Sequence, residues 1–231
     1  MDFFEAVARR RSIRKFLPDA VPDEVMDRAF DAALLAPNSS NLQTWDFYWI
    51  RSPEKRAAAT GVCLDQAAAR SAREIVAVVA NPDRWKRAND PLRKFVAEVD
   101  APKVVRHYYE KHIPFLYRVG PFGISGPFKR LVAFVLGILR PTPRGPFSVP
   151  QLQEVAIKSA ALAAENFVLA LSAQGFSSCM MEGFDERRAR NLLGLRGRAR
   201  IVMFIAIGRE GNRGTWGPRF RIPRDEVIHV V

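Results

Sequence analysis

Arg9-Arg10-Arg11-Ser12-Ile13-Arg14 is followed, after one helix-like stretch, by the polar run Pro37-Asn38-Ser39-Ser40-Asn41-Leu42-Gln43. The first segment gathers several fixed cations and a hydroxyl within one or two turns. Guanidinium forks hold phosphate oxygens bidentately, so the cluster suits a doubly charged phosphate. It equally suits a solvated basic face, which is what a basic run usually is.

The chain outward from this pair reads as alternating helices and strands. Phe3, Phe4, Val7 and Ala8 have a helical spacing over Met1 to Arg11, which delivers the arginines at the C-terminal end of a first helix. Pro22-Asp23-Glu24 starts a second helix that runs through Val25, Met26, Ala29, Ala32, Ala33 and Leu35 and stops near Pro37. Trp45 to Ile50 and Ile75 to Ala80 read as strands, with an alanine-rich helix, Lys55 to Arg73, between them. Val155 to Ala173 is a long helix closed by Gly175. Ser177 to Met180 enters a strand, Asp185 to Leu193 forms a short helix, Ile201 to Gly208 is a core strand, and Glu226 to Val231 is expected to add a last one.

At 231 residues, with 48% hydrophobic and 26% charged side chains, the sequence fits a single globular domain, 1–231. The formal charge of +12 draws anions without choosing among phosphate, nucleic acid and lipid headgroups. Cys63 and Cys179 match no metal-ligand spacing, only three histidines occur, and no metal site is expected. The start lacks the basic-then-apolar order of a signal peptide, so a reducing, cytoplasmic setting is the expectation.

Asp83 to Phe147 differs from the rest: proline-interrupted, basic and aromatic, with no clean period. It reads as an insertion covering an active site. Its apolar part, Leu131 to Leu139, is too short for the roughly 20 residues of a spanning helix. An interfacial helix against anionic lipid competes with an active-site cover or subunit-contact helix, and the cover or subunit contact is the preferred reading.

No G-x-G-x-x-G follows a strand, and neither a P-loop nor a G-x-S-x-G occurs. Chemistry carried by a cofactor therefore gains weight. Two further patterns complete a series: Met181-Glu182-Gly183-Phe184-Asp185 after the long helix, and Gly217-Pro218-Arg219-Phe220-Arg221-Ile222-Pro223 near the C-terminus. Together with the opening Arg-Arg-Ser-x-Arg element and the Pro-Asn-Ser-Ser-Asn-x-Gln loop, they resemble the nitroreductase family of flavin enzymes. Thr44 stands where that family often has proline.

The resemblance implies an α+β sandwich, a central, mostly antiparallel sheet flanked by helices, in a homodimer with FMN at the interface. It implies that Arg10, Ser12, Arg219 and Arg221 hold the FMN phosphate, with Arg11 adding backbone or charge. Arg14 would lie at the flavin N1/O2 edge, and the backbone N–H of Glu182 or Gly183 would face N5. Pro37, Asn38, Ser39 and Asn41 would reach the flavin of the other subunit, and Gln66 would serve the pyrimidine side or be a helix-surface glutamine. The helix Val155 to Ala173 would form the dimer core, with Asn166 as an internal polar contact.

The activity implied is hydride transfer from NAD(P)H through flavin N5 to a small planar acceptor, a nitroaromatic or quinone, with ping-pong kinetics. Tyr108, Tyr109, Phe115, Tyr117 and Phe122 would stack on the acceptor or pack the cover. A flavin dehalogenase or enone reductase is the nearest rival. A basic protein binding nucleic acid or anionic membrane is the rival from another class, and no nucleic-acid motif supports it.

Overall fold

The computed structural model describes residues 1–119 and 125–231. Phe122 lies outside them. Four strands, β1 (Trp45–Trp49), β2 (Glu74–Ala80), β3 (Ser177–Met181) and β4 (Arg200–Gly208), form one antiparallel sheet in the order β1-β2-β4-β3. The two central strands are apolar at nearly every position, as strands covered on both faces must be. Val76, Val78, Ile205 and Ile207 face one layer of helices, and Ile75, Ala77, Phe204 and Ala206 face the other. A bulge between Val78 and Val79 shifts the register, so that Ile201 and Met203 join opposite faces.

On the first face lie α1 (Phe3–Arg9), α2 (Asp23–Leu34) and α9 (Val149–Ala173). The second carries α3 (Pro53–Val62), α4 (Ala67–Ser71) and α10 (Glu186–Leu192). Between β2 and α9 run α5 (Trp85–Glu98), α6 (Lys103–His107), a π-helical turn (Tyr108–His112), α7 (Ile113–Tyr117) and α8 (Ser125–Leu139). A third apolar cluster of Trp85, Ile113, Tyr117, Val119, Leu42 and Leu152 fastens this region to the body.

Helix α9 is long and apolar enough to cross a membrane by length and composition, yet half of that stretch is buried in the chain's own core. It begins six residues before the expected start because the Ser148 hydroxyl caps it and Pro150 is tolerated in the first turn. Gly175, at φ +81°, ends it. Its apolar face is spent on the sheet and α2, and Asn166 donates to the Ala32 carbonyl of the same chain at 3.1 Å. The sheet and α2 take only part of the helix's surface, and Leu162 on its other side remains half-exposed.

Other boundaries also differ. The expected helix Lys55 to Arg73 is two helices, α3 and α4, parted where Leu64 and Asp65 take positive φ of 58° and 51°. The 83–147 region is largely helical. On α5 the inward residues Trp85, Asn89 and Val96 keep a helical spacing, but Asn89 is polar and Pro91 lies inside the helix, which hides the period. Asn89 stays buried by donating to the Tyr109 carbonyl at 3.3 Å. The tail Glu226 to Val231 forms no strand; a 3-10 turn, Arg224–Glu226, is followed by exposed, irregular chain.

Candidate functional site

After α1, the chain leaves the helix and continues extended. Asp2 caps the N-terminus of α1, its side chain accepting from the Glu5 N–H at 3.0 Å, and Arg10 ends the helix. Ser12 then bridges Ser178 of β3, with the Ile13 N–H donating to the Ser178 carbonyl at 3.0 Å. Ile13 is buried in the core, so in extended chain its neighbours Ser12 and Arg14 turn the other way. The Arg14 N–H donates to the Gly214 carbonyl at 2.7 Å, which draws the segment 214–221 alongside.

The result is a cavity of about 440 Å³ lined by Arg10, Arg11, Ser12 and Arg14 from one end of the sequence and by 215–221, including Arg219 and Arg221, from the other. Arg219 donates to the carbonyls of Ala8 and Arg10, both at 2.6 Å, and Arg11 donates to the Gly217 carbonyl. Arg221 donates, among the described residues, only to the neighbouring Phe220 carbonyl, at 2.7 Å. Among the described residues, none of the five arginines lies within 4.0 Å of a carboxylate, although eight ion pairs form elsewhere. Five like charges with no internal counter-charge make a strong anion site.

Two residues not foreseen belong to this cavity. Trp216 carries the Arg14 guanidinium over its ring, 4.2 Å from the centroid, and Thr215 lies beside it. Arg14 and Trp216 also border an adjoining cavity of about 340 Å³ with Lys15, Ala67, Arg70 and Arg213. The position of Trp216, directly before the Gly-Pro-Arg-Phe-Arg stretch, and of Arg70, one turn after Gln66, are the sequence signals that would have pointed to them. Cys179 lies near Arg14: burial raises its thiol pKa and the arginine opposes the rise. The thiol of Cys63, buried and without such a neighbour, is pushed up to about 12.

Gln66 and Gly183, 117 positions apart, meet: the Gln66 side-chain amide donates to the Gly183 carbonyl at 2.6 Å. Gln66 is thus more than a surface glutamine, because it fixes the exposed Glu182-Gly183 turn against α4. Neither Glu182 nor Gly183 lines the arginine cavity itself.

Pro37, Asn38, Ser39 and Asn41 lie elsewhere in the subunit. Their loop is held by its own polar groups, with Asn38 Oδ1 accepting from the Gln43 N–H at 2.8 Å, and Ser40, Asn41 and Gln43 adopt positive φ. The Ser39 N–H donates to Ser159 Oγ at 3.3 Å, and Ser40 Oγ shares a 2.6 Å hydrogen bond with the Tyr108 hydroxyl. Helix α9 provides a ruler between loop and cavity. Ser159 holds the loop, Ser172 donates to the Ala6 carbonyl of α1, and thirteen positions of helix separate them by about 20 Å. The sheet gives a second measure, since the loop precedes edge strand β1 and Ser12 pairs with the opposite edge, β3, three strand spacings or about 14 Å away.

Of the insertion aromatics, Tyr117 is core rather than a stacking surface. It is buried 5.9 Å from the Trp85 ring, and burial pushes its phenol up to about 12, with the Tyr108 phenol adding and a hydrogen bond with Ser39 opposing. Tyr108 and Tyr109 are partly buried against the same cluster, whereas Phe115 is exposed. A separate, mainly apolar groove of about 710 Å³ runs along the β1 edge between α2 and α5, lined by Phe30, Trp45, Phe47, Trp49 and Phe95.

Protein DrgA of Synechocystis is 30% identical over 235 residues, a match covering 99% of this chain and 95% of that protein. The crystal structure of the nitroreductase family protein from Streptococcus pneumoniae superposes with a TM-score of 0.72 at 24% identity, covering 100% of both chains. The NADPH:FMN oxidoreductase from Vibrio harveyi, complexed with NAD+, gives 0.65 at 18% identity over 99% of this chain and 76% of that one. These two likenesses establish the fold. The sequence model of the nitroreductase family matches residues 7–112 and 140–209 and leaves 113–139 outside. With most of its length matched in this way, and with the sheet and helices those relatives share, the chain belongs to the nitroreductase family.

Proposed function

We propose that the chain is an FMN-dependent NAD(P)H oxidoreductase acting on nitroaromatic or quinone-like acceptors. The observation that carries this reading is the meeting of five carboxylate-free arginines and the Ser12 hydroxyl in one cavity. That donor set fits a phosphate dianion. Arg10, Ser12, Arg219 and Arg221 hold the phosphate, and Arg11 adds charge while tying the 217 turn to α1. FMN, when bound, would supply the hydride-transfer chemistry between NAD(P)H and an acceptor that takes the nicotinamide's place.

The side chains orient and polarise. Arg14, braced on Trp216, would place a fixed cation at the N1/O2 edge of the flavin, where negative charge develops on reduction. The backbone N–H of Glu182 or Gly183, in a turn steadied by Gln66, would face N5.

A homodimer completes the site. The loop is anchored at Ser159 and α1 at Ser172, about 20 Å apart along α9, which supports the reading that the Pro37, Asn38, Ser39 and Asn41 loop serves the cavity of a second copy. The exposed Leu34 and Leu35 and the apolar groove at the β1 edge lie beside that loop and supply surface for such a contact. The 83–147 region covers the acceptor side, with Tyr108 bonded to the loop through Ser40.

The experiment is steady-state kinetics of FMN-loaded protein with NADH and NADPH against nitroaromatics, quinones and enones. Bleaching of the flavin band by at least one nicotinamide and parallel double-reciprocal lines are expected. A bound flavin that neither nicotinamide reduces would overturn the reading, and turnover confined to enones would move it to the neighbouring activity.

A further inference from the structure

Helix α8 is built inside out. Lys129, 3% exposed, points inward and donates to the carbonyls of Leu116 at 3.2 Å and Arg118 at 2.8 Å. These carbonyls lie at the C-terminal end of α7, where the Ser125 hydroxyl also donates to the Arg118 carbonyl at 3.2 Å, so the ammonium helps to cap that helix. Burial lowers the Lys129 pKa, yet the charge is held in place by its two carbonyl partners. Meanwhile Phe128, Leu131, Phe134, Val135, Ile138 and Leu139 are between 51% and 83% exposed. On a period of 3.6 residues these six fall within an arc of about 140°. In water such a helix would gain by turning over.

We propose that this face docks in the interfacial region of an anionic lipid bilayer, with the helix lying in the membrane plane. Two arguments from charge favour lipid over other apolar partners. From Lys111 to Gln153 the sequence has six cations and no Asp or Glu; Arg130 borders the apolar face and Arg140 follows its end. An apolar face with flanking cations supplies the two signals that reversible bilayer attachment requires. A second copy seated symmetrically on the same face would bring Arg130 and Arg140 toward their own counterparts, so self-association there is opposed electrostatically.

The helix has 15 residues, short of the roughly 20 that span a bilayer, so it rests in the interface. It also lies within 113–139, the stretch outside the family match, so the chemistry common to the family does not account for it. The attachment stands independently of the flavin reading.

The test is co-sedimentation of the FMN-loaded protein with vesicles of phosphatidylcholine alone or with one-third phosphatidylglycerol, at low and high salt. Phosphatidylglycerol vesicles are expected to bind at least tenfold more tightly, with the preference weakened by salt. Phe134→Glu with Ile138→Glu should reduce binding at least tenfold while the protein keeps its melting temperature. Arg130→Glu with Arg140→Glu, at exposed positions, should abolish the preference for anionic vesicles and keeps the test decisive if the first variant is unstable. No binding to anionic vesicles, or unchanged binding in both variants, would overturn the proposal. So would sedimentation velocity showing that the Phe134 and Ile138 changes split a larger assembly, since a second copy would then own the face.

Discussion

Replacing Arg219 and Arg221 together by alanine is expected to weaken FMN binding roughly 100-fold to 10,000-fold, each lost charge-assisted hydrogen bond being worth about 1.5–3 kcal/mol. The two positions contribute differently. Arg221 makes only a local bond to the Phe220 carbonyl, so its removal costs little beyond the ligand contact. Arg219 also grips the Ala8 and Arg10 carbonyls, and its loss frees the stretch that presents Arg10 and Ser12. The double variant should therefore lose more than two single ligand contacts, and Arg219→Ala alone should be the more damaging single change. Fluorescence titration with FMN reads the dissociation constant, and a melting curve of the FMN-free protein reads the structural share. A dissociation constant within threefold of the parent would remove the C-terminal arginines from the site.

Arg14→Ala should act on reactivity more than on retention of FMN. Its guanidinium is fixed between the Trp216 ring and the Ser12 carbonyl, which it reaches at 3.3 Å, and it is half-buried, so its charge is screened less than a surface arginine's. Loss of a preorganised charge facing developing negative charge typically costs a factor of about 100 to 1,000. Stopped-flow reduction of the bound flavin should slow by about that factor, with the FMN dissociation constant moving less than tenfold. The sign for the midpoint potential is definite: a cation that favours the more negative, reduced form raises the potential, so its removal lowers it. Arg14→Lys should recover part of both. An unchanged potential would place Arg14 outside the ring's field.

β1, β2 and β4 were legible because each is a short apolar or aromatic run, and the central two need nothing more than burial on both sides; β3, Ser-Ser-Cys-Met-Met, was marked mainly by its place after the Gly175 helix end. The failures have distinct physical causes. Glu226 to Val231 has strand composition, but a strand exists only beside a free edge, and no edge of this subunit takes it up. The break at Leu64 and Asp65 gave little warning because leucine rarely takes positive φ and a lone Asp65, which tolerates it, does not mark a break; Val62 and Cys63 before it are buried in the core. The helical nature of 85–98 was masked by a buried asparagine, whose polarity is satisfied only by a distant carbonyl. For α9, apolar content was legible but the division of its surface was not: the sheet and α2 take the buried alanines, while Leu162 stays half-exposed.

Each piece of the candidate site was visible as a local pattern, whereas its assembly depends on long-range pairing. The Ile13 to Ser178 and Arg14 to Gly214 hydrogen bonds bring residues 10–14 and 214–221 together, and nothing in either segment announces the other. Trp216 and Arg70 escaped notice for the same reason, since their role appears only when Arg14 is in place between them. The polar loop 37–43 was legible as a motif, but its distance from the arginines needs the length of α9 to measure.

The most direct test of the central claim is a crystal structure of the chain grown with FMN. The account predicts the phosphate within hydrogen-bonding distance of Arg10, Ser12, Arg219 and Arg221, and the ring bordered by Pro37 to Asn41 of a second copy. FMN bound away from these arginines, or a cavity closed by the loop of its own chain, would contradict it.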